Sequence, residues 1–218
     1  ASELKITYSG EPGARTDPSA GGAQVALIEA SENVLMTMTD GRKASGDTSI
    51  YDRVAESLTL AGNVRVSDGG NLITGARLEM DLAKRITRFP PGARVHAHLD
   101  PDDGDDGTRK QGKKTKKTAV TGKEAGGQPA IGDSFAGFSA SEGGATDIEA
   151  DQLEVRDGKG EASFRGNVIA LRGEHEIRAA VLDVAFESPD KKTAKSAASG
   201  DISRIKASGR VVVRAPDE

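Results

Sequence analysis

The chain repeats itself at a constant shift. Gly46 to Leu82 (GDTSIYDRVAESLTLAGNVRVSDGGNLITGARLEMDL) lies without a gap on Ala150 to Phe186 (ADQLEVRDGKGEASFRGNVIALRGEHEIRAAVLDVAF). Asn167 minus Asn63 is 104, and so is Phe186 minus Leu82. Gly62-Asn63-Val64 falls on Gly166-Asn167-Val168, and Gly69 falls on Gly173. The apolar positions keep phase: Leu60 with Phe164, Val64 with Val168, Ile73 with Ile177, Leu78 with Leu182, Met80 with Val184, Leu82 with Phe186. Within each copy, apolar residues return at every second position. That alternation marks strands with one buried and one wet face. A repeat of such units predicts stacked hairpins rather than a chain of unrelated elements.

The rest of the chain extends the pattern. Leu4, Ile6 and Tyr8 alternate like Leu78, Met80 and Leu82, so Ala1 to Tyr8 is a third copy of that strand. Ser9 to Gly22 reads as a Gly/Pro/Ser loop, and Val25 to Met38 as a strand. Asp68-Gly69-Gly70 reads as a hairpin turn, since glycine takes positive φ at little steric cost. A shorter period lies inside the long one, 29 residues from Gly46 to Gly75 and 30 from Gly62 to Gly92. Pro90-Pro91-Gly92 breaks the ladder, after which Val95, Ala97 and Leu99 form a further strand. The strand pattern resumes at Asp147 and ends with Val211 to Arg214.

Between these stretches the composition changes. Asp100, Asp102, Asp103, Asp105 and Asp106 give way to Arg109, Lys110, Lys113, Lys114, Lys116 and Lys117, then to glycines. Such a segment buries too little apolar surface to offset an ordering cost of roughly 1–2 kcal/mol per residue. The expected organisation is therefore a β module over 1–99 lacking its first strands, a flexible charged and Gly-rich linker over 100–146, and a β module over 147–218 lacking its last strands. Phe135 and Phe138 are the linker's candidate anchors. The chain does not start with Met and shows no signal peptide, so it reads as a mature or excised segment.

Composition narrows the function. Of 218 residues only 3% are aromatic, with no Trp, so no stacking platform for bases is expected. The net charge of −4 gives no global pull towards nucleic acid. The absence of Cys removes disulfides, thiolate metal sites and a Cys nucleophile. No apolar run approaches the roughly 20 residues of a membrane-spanning helix. No G-x-S-x-G, P-loop, dinucleotide fingerprint or H-E-x-x-H occurs. His96 and His98 share a strand face but show no accompanying acid or Cys cluster, so no metal site is assigned. Asp52, Asp81, Asp151 and Asp183 recur with the repeat at strand ends and turns, where Asp bonds nearby backbone N–H groups. Paired carboxylates on such a scaffold would serve a polysaccharide-acting enzyme, but no two can be placed facing each other. The expectation is a protein without catalytic residues or cofactor.

What remains is the apolar stripe. Its inward positions include small or adaptable residues (Ala162, Ala170, Gly75, Ala179, Met36, Met38, Met80). A filled sandwich core is one reading. A trough that accepts an acyl chain is the other, and Met suits such a surface. The residues assigned to lipid contact are Leu60, Val64, Val66, Leu78, Met80, Leu82, Phe164, Val168, Leu182, Val184 and Phe186.

Two stretches carry a family resemblance. Ile148-Glu149-Ala150-Asp151-Gln152-Leu153-Glu154-Val155, followed by Phe164-Arg165-Gly166-Asn167-Val168, resembles the opening of the OstA/LptA-like domain, an (I)xADxxxxD stretch followed by a GNV triplet. Gly46 to Asp52 with Leu60-Ala61-Gly62-Asn63-Val64 is similar to its next unit, and Arg77 to Leu82 to the strand after that. The resemblance is first to LptA; LptC and the periplasmic part of LptD share the fold. It implies an all-β, open twisted jellyroll (OstA-like) of stacked antiparallel strands in two incomplete modules. It also implies a periplasmic protein that shields the lipid A acyl chains of lipopolysaccharide, in a bridge between inner and outer membrane. Its partners would be lipopolysaccharide, other Lpt bridge components stacked on the strand edges, and further copies head to tail, with no nucleic acid. The alternative is a structural or adhesive β-repeat protein with a filled core and no lipid cargo.

Overall fold

The computed structural model describes residues 1–9, 24–38, 41–100, 144–186 and 202–215. Within them lie thirteen strands and one 3-10 turn. The strands are β1 (Glu3–Ser9), β2 (Gln24–Thr37), β3 (Lys43–Asp52), β4 (Ser57–Asp68), β5 (Asn71–Asp81), β6 (Ile86–Phe89), β7 (Val95–Leu99), β8 (Thr146–Ala150), β9 (Gln152–Arg156), β10 (Glu161–Arg172), β11 (His175–Phe186), β12 (Ile202–Ser208) and β13 (Val212–Arg214). The fold is an all-β jellyroll, antiparallel at every pairing. Among the described residues its hydrogen-bonded path runs from β1 to β12 without closing.

The long strands change direction at one place. The register slips between Ser31 and Val34 in β2, Ala61 and Val64 in β4, and Arg165 and Val168 in β10. Each slip holds two consecutive residues at positive φ: Glu32-Asn33, Gly62-Asn63 and Gly166-Asn167. Such a bulge bends a strand sharply. Each long strand therefore contributes to two walls. In β10, residues 161–165 pair with β9 and residues 169–171 with β8. In β5, residues 79–81 pair with β6 and residues 72–74 with β7. Pro90 to Arg94 make the same corner between β6 and β7, and Asp151 makes it between β8 and β9.

The inner faces read as cross-strand rows. On one wall a row runs Ile6, Ile28, Tyr51, Leu58, Met80, Thr87, Val155, Ala162, Val184, Ile205. On the other it runs Met36, Ala44, Val66, Ile73, Ala97, Ile148, Ala170, Ile177, Val213. Most members of both rows belong to one apolar cluster. The second row carries more alanines (Ala44, Ala97, Ala170) than the first, which has one, Ala162.

The stretches before and after the charged segment are joined directly. β6 pairs with β9 and β7 with β8, so one sheet crosses both. Thr146 begins β8 and is buried, opposite Leu99. Residues 101–143 of the expected linker, with Phe135 and Phe138, lie outside the described residues.

Candidate functional site

The space between the walls is the candidate site. Of the residues assigned to it from sequence, Leu60, Val64, Leu78, Met80, Phe164, Val168, Leu182, Val184 and Phe186 are buried there, and Val66 packs against them half-buried. Leu82 is the exception. β5 ends at Asp81, so the alternation stops one residue early, and Leu82 lies 41% exposed in the turn. Its backbone N–H donates to the Glu56 carbonyl instead. The repeat phase fails there because the two strands differ in length. β11 continues to Phe186, the counterpart of Leu82, whereas β5 makes its last pairing at Asp81, opposite Ser57.

Sequence reading missed several interior side chains. Phe89, Ile148, Leu153, Val155 and Ile177 are all buried. Phe89 sits on a four-residue strand, too short for alternation to show. Its ring occupies the space beside Gly75, where an added Cβ would stand 2.7 Å from Cδ1. Leu60 on β4, Leu78 on β5, and Ile177 and Leu182 on β11 are at 0% exposure. Each such side chain stabilises the closed arrangement by roughly 1.5–3 kcal/mol. Towards the ends the interior opens: Ala30, Met36, Met38 and Tyr51 at one end, and Ile202, Ile205, Ala207 and Val213 at the other, are only partly buried. Leu4, Ile6 and Tyr8 of the terminal strand β1 are exposed.

The outer faces are polar, and ion pairs gather where β6 and β7 meet β8 and β9. Arg88 pairs with Glu154 at 2.8 Å. Arg94 reaches Glu149 at 3.1 Å and Asp151 at 3.2 Å. His96 faces Glu149 at 3.3 Å and His98 faces Asp147 at 2.7 Å. In each of these pairs the basic residue comes from before residue 100 and the carboxylate from after residue 144. The hydrogen bond from Arg88 holds the Glu154 carboxyl below its ordinary value; Arg156 adds to this and burial opposes it. The acids opposite His96 and His98 had no signal in the sequence, because they sit across a strand pair whose members are far apart in the chain. Among the described residues, no three His, Cys, Asp or Glu are grouped to hold a metal ion.

The recurring aspartates split by role. Asp52 accepts from the Ala55 N–H and Asp81 from the Lys84 N–H, each at 2.9 Å, closing turns. Asp183 accepts from the Ser163 hydroxyl at 2.7 Å. Asp151 sits at the corner, where Asn167 and Arg94 donate to it.

Two facing sheet walls with an apolar interior, partly open ends and a polar exterior define a β-walled container. Residues 147–215 match the family model described as LptA/(LptD N-terminal domain) LPS transport protein. Among solved structures, the chain is similar to LptH of Pseudomonas aeruginosa, described as the LptA-homologous periplasmic component of the lipopolysaccharide transport device. The identity is 9% over 80% of this chain and 95% of that one, with a TM-score of 0.45. No curated protein matches the chain. Among the described residues no helix is long and apolar enough to cross a membrane.

Proposed function

We propose that the chain is a periplasmic lipopolysaccharide-transport protein that shields lipid A acyl chains between its two walls and takes no part in covalent chemistry. The observation that carries this reading is the family match over residues 147–215, which covers the strands lining half of the interior. The apolar rows supply the physical means, because each buried CH₂ of an acyl chain contributes about 0.8 kcal/mol. The edge β1, with Leu4, Ile6 and Tyr8 exposed, offers unpaired backbone groups on which another bridge component or a further copy adds a strand. In this reading the modules bounded at 99 and 147 work as one container, with residues between them as a linker.

The test is photo-crosslinking to lipopolysaccharide from position 80, on the inner face, with position 79 on the outer face as control. An adduct at 80 and none at 79 supports the carrier. No adduct at either position in folded protein favours the second reading, a structural β-repeat protein with a filled core. The full burial of Leu60, Leu78 and Leu182 is the observation on that side.

A further inference from the structure

The outer face formed by β9, β10, β11 and β12 carries a groove of about 360 Å³. The register shows how a sheet face becomes concave there. One outward row sets Arg156, Glu161, Ala185 and Arg204 side by side, and the next sets Glu154, Ser163, Asp183 and Lys206. In both rows the flanking strands β9 and β12 bear long side chains, while the central strands bear the small Ala185 and Ser163. The groove belongs to the second copy of the repeat: 104 residues earlier, Asp81 stands in place of Ala185 and Ala61 in place of Arg165. Its charges are unevenly matched. Glu154 is taken by Arg88 and Arg156, and Asp183 accepts from the Ser163 hydroxyl at 2.7 Å. Arg204 and Lys206 on one flank, and Arg165 one row further along β10, are exposed and make no ion pair among the described residues.

We propose that this groove binds a phosphorylated saccharide, with Arg204 and Lys206 holding its phosphate and Glu161 and Asp183 accepting from its hydroxyls. The groove lies on the outer face, so the inference goes beyond the carrier reading and does not depend on it. Phosphate is the group that matches the unpaired cations, because the Arg fork bonds two of its oxygens at once and Lys adds a point charge. The two acids act against a ligand that is anionic throughout, since like charges repel it. Neutral hydroxyls suit them, because an ionised carboxylate only accepts hydrogen bonds. The volume falls in the small-molecule range of roughly 300–1,000 Å³ and leaves room beside a bare phosphate. No aromatic side chain lines the groove, which gives a nucleobase nothing to stack on. A lipid headgroup and a free sugar phosphate share the required chemistry.

The test titrates the full chain with glucose 6-phosphate, glucose and inorganic phosphate, followed by amide NMR shifts. Wild type should bind glucose 6-phosphate about tenfold more tightly than either glucose or phosphate, the worth of one charge-assisted hydrogen bond. Arg204→Gln and Lys206→Gln should each weaken it about tenfold, and Ala185→Leu should abolish it by filling the floor. Arg65→Gln, which removes an exposed cation of β4 outside the groove, should change nothing. Melting curves identify any variant that fails to fold, and the remaining variants then decide. Deacylated lipid A separates the two sources: tighter binding than glucose 6-phosphate assigns a lipid headgroup, and binding no tighter assigns a free sugar phosphate, each supporting the site. Inorganic phosphate that binds as well as glucose 6-phosphate overturns the saccharide. Folded Arg204→Gln and Lys206→Gln proteins that bind like wild type overturn the phosphate ligands, and a wild type that binds no sugar phosphate overturns the site. Crosslinking from position 80 reads the interior separately, so none of these results decides the carrier reading.

Discussion

Asn167 donates from Nδ2 to Asp151 Oδ2 at 2.8 Å, and 104 residues earlier Asn63 makes the same bond to Asp47 at 2.9 Å. Both asparagines have positive φ, 45° and 48°. The glycine before each is equally constrained: an added Cβ at Gly166 would stand 2.4 Å from Asp151 Oδ2, and one at Gly62 would stand 2.2 Å from Asp47 Oδ2. The Gly-Asn pair is thus a corner piece. Glycine leaves room for the neighbouring strand's aspartate, and asparagine tolerates the left-handed backbone and bonds that aspartate.

Asn167→Ala should therefore cost about 1–3 kcal/mol, since it removes the bond and puts a less tolerant residue at positive φ. Gly166→Ala should cost more, because it adds a clash to the same backbone strain. Urea unfolding of both variants checks the order; equal stability to wild type would remove the corner from the account of the fold.

Gly75→Ala separates sterics from backbone strain, because Gly75 is not among the residues at positive φ. The new methyl would meet Phe89 Cδ1 at 2.7 Å. We expect a loss of about 1–3 kcal/mol from overpacking. Phe89→Leu should cost stability alone yet recover part of the Gly75→Ala loss in the double variant, a coupling measured by a double-mutant cycle.

Much of this architecture was legible in the chain, and the exceptions have physical causes. Alternation marked the inner face wherever strands are long, as at Leu58, Leu60, Val64 and Val66. It placed the hairpin turn at Gly69-Gly70. It failed at Leu82, where strand length and not residue type decides the facing. It was silent on Phe89, whose strand is four residues long. Cross-strand partners distant in sequence, such as His98 with Asp147 and Arg42 with Asp157, leave no local periodicity to read. The GNV triplets were visible as a motif, but their role as corners required the aspartates they bond.

Leu82 and Leu78 give a contrast of facing within four residues. Leu82→Asp should shift stability by no more than about 0.5 kcal/mol, as at an ordinary surface position. Leu78→Asp buries a charge in the apolar core and should cost more than about 4 kcal/mol or prevent folding. Circular dichroism melts distinguish the two; similar losses at both positions would mean that Leu82 packs inward.

Acid should weaken the junction of β6 and β9. The folded Glu154 carboxyl titrates below its unfolded value, held there first by the Arg88 hydrogen bond. Its contribution is therefore fully present above the unfolded glutamate value of ~4.3 and is lost as pH falls through the lower folded value. Glu176, held down by Arg178, and Asp81, held down by Lys84, act in the same direction at the surface. Glu154→Gln should be less stable than wild type at pH 7, with the difference shrinking towards pH 3. A gap that stays constant across that range would show that the Arg88 pair contributes nothing dependent on charge.

The pairing of Leu99 with Thr146 puts two residues 47 positions apart in the chain on one rung of a single ladder. Polymer statistics make such a point unusually permissive to length. Closing a loop of roughly 46 residues instead of roughly 4 costs only about 2 kcal/mol more, because the penalty grows with the logarithm of length. The registry of β7 on β8 is set by the rungs and by the His96–Glu149 and His98–Asp147 contacts across them. A connection between Leu99 and Thr146 can therefore change length at little cost to the sheet.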